Sequence, residues 1–168
     1  MPKLSEQLFW EMKRIEGSRF MGHLAASTGV SSKDKALYRL LYIRKPTFIR
    51  VGDVIKAYND EVVILMDNPN DLYWAVTFKA AYAKQILEWR RPVTAVHPVA
   101  HVAMNSVYID MGPLYVNMDS PEELNIGGLV DTKYHFLTGQ DVHPEDKVGD
   151  FIVRRVVKVM GVNLVYTA

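Results

Sequence analysis

Two histidines in the segment HPVAH, His97 and His101, have the residue type and spacing closest to a metal site. Imidazoles four residues apart share one face of a helix, as zinc ligands at this spacing do. Pro98 and the neighbouring valines instead favour an extended segment, and no acidic residue lies between the histidines to act as a general base. Because no third ligand can be named, we interpret both as structural or surface histidines and predict no metal and no cofactor.

A second polar group lies in the segment TGQDVHPED, where Asp141, Glu145 and Asp146 surround His143. Carboxylates at this density can bind calcium, but the glycine and the distal glutamate of an EF-hand loop are missing. We therefore interpret this segment as a solvated acidic loop that precedes a strand.

Motifs for nucleophilic catalysis and for phosphate binding are absent from the sequence. It contains no Gly-x-Ser-x-Gly, no P-loop and no Gly-x-Gly-x-x-Gly. It also contains no cysteine, which excludes disulfides, thiolate metal sites and cysteine nucleophiles. We predict that the protein is not an enzyme.

The charges are nearly balanced, since 20 basic and 19 acidic side chains give a formal net charge of +1. No global field is therefore available to attract nucleic acid or an anionic membrane. Locally, strand alternation predicts that Arg154 and Lys158 share one face with Ile152, Val156 and Met160. We expect this basic face to meet solvent, a partner or nucleic acid.

The elements that must position these residues begin with a predicted helical arm over residues 1–45. Apolar residues at helical spacing predict an amphipathic helix from Leu4 to Ile15, and a second, short helix follows Ser32 and ends at Lys45-Pro46. The apolar residues of the first helix are Leu8, Phe9, Met12 and Ile15.

Residues 46–168 are predicted to form a β-rich, barrel-like domain. TFIRVGDVIKAY and EVVILMD, separated by Asn59-Asp60, predict a hairpin, and Val62–Met66 predicts a central strand because it is apolar on both faces. LYWAVTF predicts a further strand. The apolar residues Phe78, Tyr82, Ile86 and Trp89, at spacings of four, four and three, predict a helix near residues 78–91. Arg91-Pro92 is predicted to end it, and one longer helix beginning at Asp71 is the alternative.

Two short turns shape the predicted body. The pentad Val-Gly-Asp-x-Ile occurs at Val51–Ile55 and at Val148–Ile152, and we interpret it as a recurrent strand entry rather than a duplication. The last two strands predict a hairpin whose turn centres on Met160-Gly161.

The predicted fold class is mainly β within α+β. It has an antiparallel β-barrel or sandwich body, an N-terminal helical arm and one inserted helix. No segment is apolar and long enough for a signal peptide or a membrane-spanning helix, so we expect no membrane partner.

The closing segment TGQDVHPEDKVGDFIVRRVVKVMGVNLVYTA, combined with the predicted arm and barrel-like body, resembles the head-closure (stopper or neck) proteins of tailed bacteriophages. Those proteins are small β-barrels that often finish with Gly-Asp, a strand, a short turn and a last strand. The matching residues are Thr138-Gly139, Asp146, Gly149-Asp150-Phe151-Ile152 and the hairpin through Gly161.

The resemblance implies a structural virion protein, assembled in the host cytoplasm, that joins the portal or adaptor to the tail. Copies of this chain would form a ring, a hexamer or dodecamer, with heterologous contacts between neighbours. The apolar residues of the first helix would dock on the adjoining ring.

The resemblance also implies lumen loops that retain or pass the packaged DNA. SPEELNIGG and TGQDVHPED are the candidates, and both are acidic. Acidic loops let DNA slide, because the phosphate contacts that bind strongly are made by Lys and Arg. The acidic residues of the two loops are Glu122, Glu123, Asp141, Glu145 and Asp146.

Three alternatives remain open. A nucleic-acid-binding module of the OB type would use Arg154, Lys158 and nearby aromatic residues on an exposed sheet face. A tail-completion protein would be a β-rich ring former of similar composition. A small hydrolase or metal-dependent enzyme would use His97 and His101 with a third ligand nearby in space.

Overall fold

The described part of the chain consists of β-strands and connecting turns, with no helix. The computed structural model describes residues 9–26, 38–45, 47–58, 60–67, 75–96, 99, 103–118 and 134–167. Its strands are β1 (Trp10–Arg14), β2 (Arg19–Ala26), β3 (Tyr38–Arg44), β4 (Val54–Lys56), β5 (Val62–Met66), β6 (Ala75–Tyr82), β7 (Gln85–Val96), β8 (Ala103–Val116), β9 (Tyr134–Thr138), β10 (Lys147–Val148), β11 (Phe151–Val159) and β12 (Val162–Thr167).

Strands β1 to β6 form a closed antiparallel barrel in the order β1-β2-β3-β6-β5-β4. Pairing of β1 with β4 closes it, so the barrel presents no free strand edge. Its interior is apolar, as the alternation of strand side chains requires. The core includes Met12, Leu24, Leu41, Ile43, Ile55, Val63, Leu65 and Phe78.

The other six strands form a sheet in the order β8-β7-β10-β11-β12-β9. This sheet curls, because Asn117 at the end of β8 and Leu137 in β9 exchange two backbone hydrogen bonds of 2.9 Å. The curled sheet encloses a second core, made of Trp89, Leu114, Val116, Phe136, Val142, Val148, Val153 and Val165.

The barrel and the curled sheet share a third apolar cluster. Val54, Ile64, Met66 and Ala81 from the barrel pack against Leu137, Val162 and Leu164 from the sheet. The Asp67 amide donates to the Met160 carbonyl at 2.7 Å, and the backbones of Gly52 and Gly139 lie in close contact. The two units are therefore packed as one body across this wall.

The predicted N-terminal helices are wrong in the part that the structure describes. Trp10–Arg14 and Tyr38–Arg44 are the barrel strands β1 and β3. Pairing with neighbouring strands satisfies their backbone groups, and the barrel buries Met12 from one and Leu41 from the other. The predicted boundary after residue 45 falls between two strands of this barrel.

The proposed docking residues of the arm are placed differently from the prediction. Phe9 and Met12 are buried within this chain, so neither is free to dock on another protein. Ile15 is exposed beyond the end of β1, and Leu8 lies outside the described residues.

The predicted helix near residues 78–91 is also wrong, as is the longer alternative from Asp71 over its described part. This stretch contains the end of β6, a connection at Ala83-Lys84 and the first half of β7. Phe78 and Tyr82 are four residues apart, and four is an even number, so the spacing suits one face of a strand as well as one face of a helix. Pro92 does not end the element but lies inside β7.

The β-barrel and both predicted hairpins are confirmed, but the predicted α+β class is wrong, because every element in the described part of the chain is a strand and the barrel is formed by β1 to β6. β4 and β5 pair in the first hairpin, and β5 is a central strand whose residues reach both the barrel core and the shared wall. β11 and β12 form the second hairpin. Its turn residues Met160 and Gly161 have φ angles of 47° and 77°, the left-handed values that a tight hairpin turn requires.

Candidate interaction site on the long hairpin

Strands β7 and β8 form the longest hairpin of the protein, and its far half has no strand on either side in the described part of the chain. β10 lies beside β7 but pairs only with Trp89 and Arg90. β8 is an edge strand until Asn117 meets β9. Residues 91–96 and 103–110, which we call the distal hairpin, therefore extend beyond the curled sheet.

Three aliphatic residues form an exposed patch on the distal hairpin. Val93 lies opposite Val107, and Ile109 lies opposite Arg91. Alternation along β7 places Val93 on the same face as buried Trp89. The patch therefore lies on the core-facing side of the sheet, but beyond the end of the core. The three side chains are nonetheless 43%, 60% and 49% exposed. Because exposed apolar patches often lie at contact surfaces, this patch is the candidate interaction site.

A β-bulge separates this distal hairpin from its buried base. Trp89 pairs with Gly112 and Arg90 with Asp110, which leaves Met111 as the extra residue on β8. Gly112 has a φ of 88°, and its amide donates to the Asp110 carboxylate at 2.9 Å. Because bulges bend and twist a strand, this one sets the angle at which the distal hairpin leaves the sheet.

The base of the hairpin is fastened by a buried carboxylate, Asp146, which is 1% exposed. Arg91 donates to both carboxylate oxygens at 3.0 Å, from Nε and Nη2. The Trp89 indole donates at 2.8 Å and the His143 amide at 2.9 Å. A second Arg91 contact, 2.7 Å from Nη2 to the Asp141 carbonyl, ties β7 to the loop before β10.

The electrostatics of this cluster favour the ionised pair. Burial by itself would raise the pKa of Asp146, but the hydrogen bonds from Arg91, the His143 amide and Trp89 outweigh it and hold that pKa below its ordinary value. The same hydrogen bond to Asp146 raises the pKa of Arg91. The carboxylate is therefore charged and accepts hydrogen bonds at both oxygens, an arrangement that fastens the hairpin base.

This lowered pKa predicts a pH-dependent contribution to stability. A depressed carboxyl pKa stabilises the fold above the unfolded pKa of about 4, and the contribution is lost as the pH falls through the folded value. We expect the difference in unfolding free energy between the wild type and Asp146→Asn to stay constant above about pH 5 and to shrink as the pH is lowered from about 5 to about 2. Urea titrations across this range measure the difference. A constant difference would contradict the assignment, and Asp141→Asn, at an exposed neighbour, is the control.

A cleft of about 390 Å³ lies between the barrel and the curled sheet. Its charged residues pair with one another, since the Arg14 guanidinium contacts Glu16 at 2.8 Å and Asp53 at 3.2 Å. Gln140 accepts from the Tyr115 amide at 2.9 Å on the opposite wall. Each of these contacts lies within one unit, and the described lining of the cleft provides no arrangement of base and nucleophile.

The acidic residues of the predicted loop TGQDVHPED differ in burial. Asp141 and Glu145 are exposed, and the Asp141 carboxylate lies 3.0 Å from the His143 ring. Asp146 is the buried fastening residue and cannot line a lumen. The residues Glu122, Glu123, His97 and His101 lie outside the described residues.

The predicted basic face is interrupted by a change of register. Arg154 and Lys158 are both exposed, but pairing between β11 and β12 shifts between Val153 and Arg155. Alternation therefore does not place Arg154 and Lys158 on one face of the strand. Beside the shift, the Arg155 guanidinium lies 5.8 Å from the centre of the Tyr166 ring.

Among the residues that the structure describes, no group of three or more His, Asp or Glu side chains is placed to hold a metal ion. None of their elements is a helix of the length and apolarity that crossing a bilayer requires.

The candidate interaction site thus consists of the long hairpin, its apolar patch and its fastened base. Comparison of the chain with protein-family models, with curated proteins and with solved structures gives no significant match.

Proposed function

We propose that the chain is a structural subunit of a tailed-phage virion, a ring-forming neck or head-closure protein between the portal or adaptor and the tail. The observation that carries the proposal is the distal hairpin, whose exposed aliphatic patch continues the core face of the sheet. Apolar surface of this kind is buried by protein contact in an assembly. Its function is mechanical.

The resemblance of the closing residues supports the neck position. Gly149-Asp150 leads into β11, the turn at Met160 and Gly161 follows, and β12 completes the segment. This arrangement is common to many small barrels, so the position in the virion rests on the resemblance rather than on the fold.

Exposed acidic residues support a role in retaining packaged DNA without binding it tightly. Asp141 and Glu145 project from the loop between β9 and β10. We propose these two, with Glu122 and Glu123, as lumen residues. Phosphate contacts of high affinity need Lys and Arg, which an acidic lining does not provide.

The mass of the full-length chain in solution tests ring formation. We expect light scattering to give a closed oligomer, with electron micrographs that show rings, either for the free protein or after addition of the portal or adaptor. A chain that stays monomeric at high concentration and with these partners would contradict the proposal. Truncation of residues 1–31 is unsuitable, because it removes β1 and β2 from the barrel.

Nucleic-acid binding is the second candidate function, favoured by the exposed Arg154 and Lys158 and by the stacking of Arg155 on Tyr166. The discriminating result is salt-sensitive binding of oligonucleotides by a monomer. A tail-completion role belongs to the same structural class as the first proposal, and the identity of the neighbouring ring separates the two.

A further inference from the structure

The distal hairpin offers two strand edges whose backbone groups are unpaired in the described part of the chain. One is the outer side of β8, and the other is the side of β7 beyond Arg90, where β10 has ended. A two-stranded ribbon is marginally stable in water, and free strand edges pair readily with other strands. Both edges can therefore pair with a strand of another molecule.

A second copy of the same chain can cover both edges. If hairpins lie side by side, the β8 edge of one copy meets the β7 edge of the next, and this pairing is antiparallel like every pairing within the chain. A two-fold arrangement that joined β8 to β8 would leave both β7 edges open. Side-by-side packing is a heterologous contact, which generates a ring when the rotation closes.

Charge favours the same arrangement. Asp110 is the one charged residue on the β8 side of the distal hairpin, and the exposed Arg90 lies at the hairpin base on β7, whereas Arg91 is already bound to Asp146. Placing β8 beside β7 of a neighbour brings opposite charges together. Antiparallel pairing of β8 with β8 over residues 103–110 instead offers Asp110 no cation, because this stretch contains no Lys or Arg.

The aliphatic patch gains cover in the same contact. Val107 and Ile109 on β8 would lie next to the neighbour's Val93 on β7, so successive patches form one apolar stripe. The Glu88 carbonyl accepts from the amide of Gly149, directly after β10, so by alternation Pro92 also faces this edge of β7. Thr94 is the next residue there with an N–H to donate. The pairing is therefore anchored by side chains as well as by the strand ladder.

We propose that the distal hairpins of successive copies pair β8 to β7 and form a continuous intersubunit sheet. This inference rests on the proposed ring and names the contact that builds it. It predicts a sheet with two strands from each subunit, in which each copy has the same two partners.

Cysteine cross-linking tests the geometry, because the chain has no cysteine of its own. Thr94→Cys and Tyr108→Cys introduce single thiols at exposed positions on the same face of β7 and β8. We expect a short bismaleimide to link the two variants when they are mixed, and to link neither variant efficiently alone. Met21→Cys, at an exposed site on the closed barrel, replaces Tyr108→Cys in the control mixture.

A charge in the patch supplies an independent measurement. Val107→Lys should raise the concentration for half-assembly by about tenfold or more, because a charge then enters a buried apolar contact. Met21→Lys is the matched control and should leave assembly unchanged. Circular dichroism checks that both variants fold.

The outcomes separate this inference from the proposed function. Rings with no cross-link between Thr94→Cys and Tyr108→Cys, or with full assembly of folded Val107→Lys, overturn the hairpin contact and leave the ring proposal intact. Efficient linking of Tyr108→Cys to itself overturns the side-by-side arrangement in favour of a two-fold one. Cross-linking of the mixture without closed rings supports the hairpin contact and contradicts the ring.

Discussion

Replacing Asp146 with asparagine should lower the free energy of unfolding by about 3 kcal/mol. Asparagine keeps the size of the side chain but has one acceptor oxygen in place of two. Its amide hydrogens would face donors from Trp89, Arg91 or the His143 backbone, all of which now reach the carboxylate. Arg91, which is 26% exposed, would lose its charge partner. Urea denaturation followed by tryptophan fluorescence measures the loss.

Asp141→Asn is the matched control for this substitution. Asp141 lies in the same loop, but its side chain is 83% exposed and contacts only the exposed His143 ring among the described residues. Removing its charge should cost no more than about 0.5 kcal/mol. A double-mutant cycle with Arg91→Gln isolates the Asp146–Arg91 coupling. Equal losses for Asp146→Asn and Asp141→Asn would show that the buried carboxylate does not fasten the hairpin base.

Gly139→Ala should be at least as disruptive, with a loss of about 3 kcal/mol or more. A methyl group at residue 139 would overlap the carbonyl oxygen of Gly52. That oxygen belongs to the backbone, and the Gly52 amide is held by the Leu65 carbonyl at 2.8 Å, so neither side can give way by a rotamer change. The expected result is a lower denaturation midpoint, because the barrel and curled sheet must separate locally.

Gly112→Ala separates steric overlap from backbone strain. Gly112 has a φ of 88° with no atom within 4 Å of the added methyl group, so its replacement should cost about 1–2 kcal/mol for the left-handed backbone alone. Gly139 has no such φ, and its cost comes from overlap. A smaller effect at Gly139 than at Gly112 would contradict the close contact between the two units.

Strand hairpins were predictable because their signals are local. The turn at Met160-Gly161 combines a glycine with flanking apolar strands, and Val62–Met66 is too apolar for a strand with one wet face. The three false helices have a common cause. Apolar residues three or four apart also occur in strands. A spacing of four keeps two residues on one face, and an exposed apolar residue on the other face, such as Ile86 in β7, adds a spacing of three.

The candidate site was not predictable from local pattern. Asp146 looked like one more acid in a polar loop, because its partners Trp89 and Arg91 are more than fifty positions away in the sequence and meet it only through the pairing of β10 with β7. The aliphatic patch was hidden for a related reason. Val93 and Val107 have ordinary strand composition, and they are exposed because the distal hairpin extends beyond the curled sheet and its core.

The wall shared by the barrel and the curled sheet also affects the order of events during synthesis. The barrel strands β1 to β6 precede Leu137, Val162 and Leu164, the residues that cover Ile64 and Met66. A barrel that closes while translation continues therefore carries a bare apolar wall until β12 emerges from the ribosome and docks. Chain pausing in this interval exposes the nascent barrel to aggregation and makes it a substrate for chaperones.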